Sequence, residues 1–210
     1  IAVKTDTGWQ VLGGGAPGEL PGVGGWATIT GIDGTAGTRY QYGDWVAYEW
    51  TADGELTTQA GGLVDALIVG GGSGNEKHPS FQSNGLGGDI ISGIRLLSSN
   101  PQTVTVGAGG PSGGRAGYSA LGAMKTSIAG CGFRQDPDVP ADLWPGTTSD
   151  ITGPSVVYAA DGQLSITANT GNGGGTYSSA AQSGSSGVVI CRVPKAHAYL
   201  GALPAGWVDA

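Results

Sequence analysis

Alternation of hydrophobic and polar positions is the strongest pattern in this chain, and it recurs in short runs. The run RYQYGDWVAYEW at 39–50 alternates, and LVDALIV at 63–69 is nearly continuous in apolar residues. Similar short runs are DIISGIRLL at 89–97, TVTV at 103–106 and GVVICRV at 187–193. A period of two predicts β-strands, and no window of ten or more residues has a helical period. We therefore predict an all-β fold with essentially no helix.

Glycine-rich segments follow nearly every predicted strand after residue 69. They include GGGSG at 70–74, GAGG at 107–110 and GNGGG at 171–175. Glycine accounts for 43 of the 210 residues, about three times its usual share. Because glycine has no side chain, extended glycine segments approach closely enough to hydrogen-bond to one another on every side. We predict that these segments stack as extended, polyglycine-II-like rods with three residues per turn.

Changes in composition divide the chain. We predict an N-terminal arm or linker, an aromatic-rich β unit, a glycine-rich β domain that contains a Pro/Asp-rich insertion, and a C-terminal tail. The arm or linker spans residues 1–25, the aromatic-rich unit 26–60 and the glycine-rich domain 61–193. The insertion spans 133–155 and the tail 194–210. Within the aromatic unit, Ala52, Asp53 and Gly54 predict a hairpin turn between two strands.

Charge and cysteine content exclude several classes of function. Nine Lys and Arg against sixteen Asp and Glu give a net charge of −7. Without a basic run, nucleic acid is not an expected partner. No apolar run is long enough for membrane insertion. Cys131 and Cys191 have no zinc-site spacing, so they form either a disulfide or two buried thiols.

One motif resembles a dinucleotide site but lacks its context. DALIVGGGSG at 65–74 is an apolar strand that runs into glycines, as a nucleotide-binding turn does. Pro79 and further turn formers follow, so no helix begins where the phosphates need its N-terminus. His78 and His197 stand far apart without a nucleophile at a suggestive spacing. We predict no enzyme, no catalytic residue and no cofactor.

Candidate contact residues lie in the Pro/Asp-rich insertion. Asp136, Asp138 and Asp142 are spaced as oxygen ligands of calcium can be, but no glycine and closing Glu accompany them. A solvated acidic loop is the favoured interpretation, and no metal site is predicted. Trp144 stands beside these carboxylates outside any strand pattern. It either holds a sugar or partner surface, or folds back over the glycine core or a subunit seam.

Four segments occur in an order that resembles a known family. They are YEWTADGELTTQAGGLVDALIVGGGSG at 48–74, GGDIISGIRLLSSNPQTVTVGAGG at 87–110, SALGAMKTSIAGCG at 119–132 and GNGGGTYSSAAQSGSSGVVICRV at 171–193. Together they resemble the glycine-rich domain of bacteriophage tail proteins, including minor tail proteins of phages that infect actinobacteria. Residues 133–155 depart from that pattern because they contain less glycine.

The resemblance implies a structural virion protein that faces the exterior at the phage tail. It would be a minor tail protein of the tail tip or fibre, with host-surface attachment as a further role. Its implied partners are other tail proteins and a host cell-wall glycan or surface protein. The predicted contact loops are 71–88, 107–118, 133–155 and 171–186. The alternative is an extracellular carbohydrate- or surface-binding module outside any virion.

We also expect copies of the chain to associate. An elongated glycine-rich body with aromatic strands buries most surface by packing its flanks against identical copies, and a trimer is favoured. Trp9, Trp26 and Trp207 are the candidates for subunit contact or docking, with Trp9 and Trp26 also suited to packing within the N-terminal β unit.

Overall fold

The protein is all-β, as the alternation predicts. The structure is a computed structural model that describes residues 2–5, 8–11, 25–59, 61–78, 81–97, 101–127, 145–162, 167–175 and 182–210. Within them are seventeen strands and one short 3₁₀ turn at Lys195–His197. Of the first, second, eighth and ninth strands, the structure describes the backbone alone.

The strands are β1 (Ala2–Thr5), β2 (Gly8–Val11), β3 (Ile29–Gly34), β4 (Gly37–Tyr42), β5 (Trp45–Trp50), β6 (Gly54–Thr58), β7 (Gly62–Val69), β8 (Glu76–His78), β9 (Phe81–Ser83), β10 (Ile90–Leu97), β11 (Gln102–Thr105), β12 (Ala120–Leu121), β13 (Met124–Lys125), β14 (Thr147–Ser149), β15 (Val156–Tyr158), β16 (Val188–Pro194) and β17 (Trp207–Asp209).

Two sheets enclose the main core. A six-stranded sheet has the order β10-β7-β16-β5-β4-β17, and a five-stranded sheet has the order β13-β12-β11-β6-β3. Alternation along β5 sends Val46, Tyr48 and Trp50 into this core, where they are fully buried. From the five-stranded sheet, Leu56 and Val104 join the same apolar cluster. The bulky side chains at alternate positions of these strands therefore hold the two sheets together.

The predicted boundary near residue 60 is wrong. Strands β4 and β5 share the six-stranded sheet with β7, β10 and β16, and β3 and β6 share the other sheet with β11 to β13. The turn at Asp53 joins β5 to β6, which lie in different sheets, so it is not a hairpin turn. The reason is that a strand needs backbone partners on its sides, and these come from distant parts of the chain.

The predicted C-terminal tail is also wrong, because residues 194–210 belong to the fold. Strand β17 pairs in parallel with β4, with Trp207 opposite Gly37. The Arg39 guanidinium donates to both carboxylate oxygens of Asp209, at 2.6 and 2.7 Å. It also donates to the carbonyl oxygens of Tyr199 and Gly201. The planar guanidinium thus holds both the edge strand and the segment that leads to it.

A second apolar cluster lies on the outer face of the six-stranded sheet. The β14–β15 hairpin covers this face, with Ile151 and Tyr158 packed near Ala47 and Leu67. The Tyr42 hydroxyl donates to the Ile151 carbonyl oxygen and so fixes the hairpin's turn. The end of the Pro/Asp-rich insertion is therefore a cover for the sheet.

The carboxyl of Glu49 lies on this covered face and accepts a hydrogen bond from the Tyr40 hydroxyl at 3.0 Å. Burial raises the pKa of Glu49, and the Tyr40 hydrogen bond offsets this in part. Tyr158 also faces this carboxyl, and burial raises the pKa of its phenol. The folded protein thus favours the protonated form of Glu49 more than the unfolded chain does.

We expect Glu49→Gln to increase the free energy of unfolding at pH 7 but not below the ordinary glutamate pKa of 4.5. A raised folded-state pKa means that stability falls as pH rises from that ordinary value through the raised one. The neutral amide of the glutamine removes this pH-dependent loss of stability, and its oxygen still accepts a hydrogen bond from the Tyr40 hydroxyl. Urea unfolding of both proteins from pH 4 to pH 8 measures the difference, and an equal gain at every pH would contradict the assignment.

Candidate functional site

A bundle of extended glycine-rich segments continues from the ends of the sandwich strands; we call it the glycine bundle. Segment 70–75 leaves β7 and 106–111 leaves β11, while 84–89, 114–119 and 182–187 lead into β10, β12 and β16. Segment 170–175 lies between them in space. Residues 158–162, which follow from β15 and contain one glycine, bond to the bundle at its side. The predicted rods therefore form a second compact region beside the two sheets.

Backbone hydrogen bonds in the bundle repeat every three residues. The amides of Gly70 and Ser73 donate to segment 84–89, and those of Gly72 and Asn75 donate to segment 182–187. The amide between these positions, Gly71, donates to Gly117 in a further segment. In a sheet, successive residues of a strand form hydrogen bonds to two neighbouring strands in alternation. In a chain with three residues per turn, successive residues point to three neighbours in rotation. This confirms the stacking of extended glycine segments.

Glycine is required here because neighbouring backbones occupy the space of a side chain. A Cβ would lie less than 3.0 Å from the backbone of another segment at many of these positions. They are Gly71, Gly72, Gly74, Gly85, Gly87, Gly88, Gly107, Gly109, Gly110, Gly117, Gly173, Gly174, Gly184 and Gly187. None of them has a positive φ. The close backbone contact, and not an unusual conformation, explains why glycine occupies these positions.

The segments run in alternating directions, so the chain reverses at one end of the bundle. Gly85 and Gly88 bond to Gly174 and Gly171 in antiparallel order. At the end away from the sheets, the β8–β9 hairpin joins 75 to 84, and a turn at 112–113 joins 111 to 114. We call this the distal end. The topology thus gathers polar connections that are far apart in sequence.

Asn75 ties the distal end together and is 2% exposed. Its backbone amide donates to Gln182 and its carbonyl oxygen accepts from Gly113. Its side chain donates to the Gly175 carbonyl oxygen at 2.8 Å and accepts from the Gln182 amide. The hydroxyl of Ser112 adds a bond to the Asn75 carbonyl oxygen at 3.0 Å. One asparagine therefore sets the positions of the surrounding connections.

The contact loops predicted from the sequence need correction. Residues 71–75 are buried, as are Gly107, Gly110 and residues 171–175. Packing against other segments satisfies their amides and carbonyl groups, which explains why they are inside. The connections at the distal end remain as candidates for contact, as do the exposed residues of loop 133–155 that the structure describes. The predicted contact loops contain these connections, but the sequence does not distinguish Asn75 from the other polar residues that follow the glycine runs.

The four predicted receptor-contact residues, Trp144, Asp136, Asp138 and Asp142, lie outside the described residues, and so does Cys131. Trp9 lies in β2 and His78 in β8, and the structure describes neither side chain. Their roles stay predictions.

Two of the predicted docking tryptophans pack within the chain. Trp207 is only 7% exposed, and its ring stands edge-on to Trp50 with centroids 5.2 Å apart. Its indole N–H donates to the Gly34 carbonyl oxygen at 3.2 Å. The proposal that Trp207 docks a neighbouring chain is therefore wrong, because both its ring and its N–H are already used. Trp26 is half-buried and stands edge-on to Trp45 at 5.3 Å.

Several of the described titratable groups are buried or have structural partners. Cys191 is a free thiol, and burial raises its pKa well above the ordinary value. The Nδ1 of His197 lies 3.2 Å from the Thr28 hydroxyl. Asp33 and Asp53 line an open groove beside Glu55. Their carboxyl oxygens accept hydrogen bonds from backbone amides, those of Gly34 and Val106 respectively. These contacts stabilise local turns and the core.

Among the described residues, no cluster of three or more His, Cys, Asp or Glu is placed to hold a metal ion. No helix in this part of the chain is long and apolar enough to cross a membrane. Comparison of the chain with protein-family models, curated proteins and solved structures found no match.

Proposed function

We propose that the chain is a structural protein of a bacteriophage tail, and that the distal end of its glycine bundle contacts the host surface. One observation carries the proposal: connections far apart in sequence meet at the end of the bundle opposite the sheets. The order of four glycine-rich segments that resembles phage tail proteins supports the virion assignment.

The bundle suits the role of a rigid spacer. Each segment bonds to several neighbours, so one segment does not bend without breaking bonds to others. Loops on a rigid support tolerate sequence change, and such loops commonly carry recognition. The sandwich at the other end is then available for assembly with other tail proteins.

The composition of the distal connections favours a glycan or a polar surface. At this end, β8 reads EKH and β9 reads FQS. Hydroxyl, amide and charged groups bond to sugar hydroxyls, and aromatic rings stack on sugar rings. The expected partner is therefore a cell-wall glycan.

Binding to intact host cells and to purified cell-wall polysaccharide tests the distal contact. A variant with Lys77, His78, Phe81 and Gln82 replaced by alanine is expected to bind at least about tenfold more weakly, with an unchanged unfolding midpoint. The matched control replaces Glu55 and Thr103, which are exposed and paired on the sandwich, and is expected to bind like the parent. Equal binding by all three proteins would exclude the distal contact.

The location of the chain distinguishes the virion role from the alternative, a surface-binding module outside any virion. Antibody labelling of purified particles is expected to place the chain at the tail. A chain that is absent from particles yet binds polysaccharide through the distal end would support the alternative.

A further inference from the structure

The outer edge of β10 is the longest open strand edge in the described structure. β10 is the first strand of the six-stranded sheet, and no other described strand pairs with its outer side. Its Ile94 and Leu96 side chains are 49% and 57% exposed. A long apolar edge strand with open amides and carbonyl groups is a template for another strand.

The hydrogen-bond alternation shows which groups face outward. The Gly70 amide donates to the Asp89 carbonyl oxygen at 2.9 Å, in register with the β7–β10 pairing. Residues of the same parity as Asp89 therefore bond toward β7, and the alternate residues face the open edge. The outward set is Ile90, Ser92, Ile94 and Leu96.

Two charged side chains occupy parts of this edge. The Ile90 amide donates to the Asp89 carboxyl at 2.9 Å, and the Ile94 carbonyl oxygen accepts from the Arg95 guanidinium at 3.0 Å. The Ile90 amide and the Ile94 carbonyl oxygen both belong to the outward set, as the alternation of hydrogen bonds along β10 requires. Asp89 and Arg95 lie at opposite ends of the strand, on the same face, and have opposite charge.

We propose that two copies of the chain pair through β10, antiparallel, about a two-fold axis at Ser92. In this register Ile90 lies opposite the partner's Ile94, and Asp89 lies opposite the partner's Arg95. Each contact occurs twice because the axis makes the interface self-complementary. The Ile90 amide then bonds to the backbone of the partner subunit, and the released Asp89 carboxylate forms an ion pair.

The charges select this register among the alternatives. Moving the partner strand by two residues in either direction places Asp89 opposite the partner's Gly93 or the partner's Leu97. Its carboxylate then has no positive charge opposite it. A shift of one residue places the outward-facing amides and carbonyl groups of one copy opposite residues of the other copy whose backbone groups face inward. The two strands then form no continuous ladder of hydrogen bonds. The pairing goes beyond the proposed host contact and does not depend on it. It predicts a two-fold dimer instead of the trimer expected from shape.

A cysteine on the proposed axis tests the register directly. In a Cys131→Ser background, Ser92→Cys is expected to convert most of the protein to a disulfide-linked dimer on mild oxidation. Opposed Cα atoms in such a pair lie about 5.5 Å apart, within the range that a disulfide spans. Thr103→Cys, on an exposed position of β11, is the matched control and is expected to stay monomeric. Equal cross-linking of both variants, or of neither, would overturn the proposal.

Charge reversal tests the same register in solution by sedimentation velocity. We expect Asp89→Arg and Arg95→Asp each to weaken self-association at least about tenfold, and an equimolar mixture to restore a dimer. Because Asp89 also accepts the Ser127 amide, Ile94→Lys serves as a variant that leaves this bond intact. It is expected to dissociate the dimer while the circular dichroism spectrum is unchanged.

A trimer, a parent protein that stays monomeric at its solubility limit, or a dimer insensitive to these variants would overturn the pairing. Hydrogen exchange adds a second measurement. The Ser92 and Ile94 amides are expected to gain protection with protein concentration. Protection that is already complete at high dilution would show that another segment of the same chain covers the edge, and would also overturn the proposal.

Discussion

Gly72→Ala is expected to destabilise the protein by more than about 3 kcal/mol, a large part of the ~5–15 kcal/mol that stabilises a typical domain. The added methyl group would overlap the backbone of Gly171 and Asn172. The Gly72 amide donates to Ser185 and its carbonyl oxygen accepts from Gly110, so segment 70–75 has no free direction in which to move. Urea unfolding followed by tryptophan fluorescence measures the loss.

Two other glycines separate steric overlap from the general effect of adding a methyl group. Gly31 lies in β3 with an ordinary φ, and a Cβ there would come no closer than 3.5 Å to Thr57. Gly31→Ala is expected to be neutral or to stabilise by up to about 1 kcal/mol, because it restricts the unfolded chain. Gly43 has a φ of +54° and open space around it, so Gly43→Ala is expected to cost about 1 kcal/mol. Similar losses at Gly43 and Gly72 would contradict the close packing of the bundle.

Trp207→Ala is expected to cost about 3–5 kcal/mol, as buried tryptophan truncations commonly do. The substitution empties the space beside Trp50 and leaves the Gly34 carbonyl oxygen without its indole donor. It also loosens the edge strand that the Arg39–Asp209 ion pair holds. Thermal and urea unfolding measure the effect.

The adjacent residue supplies the control for this strand. Val208 is 56% exposed, and Val208→Ala is expected to change stability by less than about 0.5 kcal/mol. Equal effects at the two positions would mean that Trp207 does not pack in the core. A loss at Trp207 alone would show that the C-terminal residues belong to the folded unit.

Local patterns were sufficient to predict the main strands. The apolar run at 63–69 corresponds to β7, the run at 187–193 to β16, and the alternation at 89–97 to β10. Period two reflects a strand with one face in the core, and this property belongs to the segment itself. The three-residue strand β17 lacks such a run, so only its pairing with β4 defines it.

The candidate site was less accessible to sequence analysis. The glycine runs indicated that backbones approach each other, and the bundle confirms this. They did not indicate that the glycines would be buried while the connections between them gather at one end. Asn75 is the first of several polar residues after a glycine run, and its bonds to residues near 113, 175 and 182 arise only when four segments meet.

The fold class, the positions of the main strands and the use of glycine as a packing surface could be predicted from the order of the amino acids. These follow from side-chain alternation and from the absence of a Cβ, which are local properties. The fold was needed to learn which strands share a sheet, that Trp207 enters the core, and which end of the bundle bears the connections. Those features depend on hydrogen bonds between distant segments, whose partners no local pattern specifies.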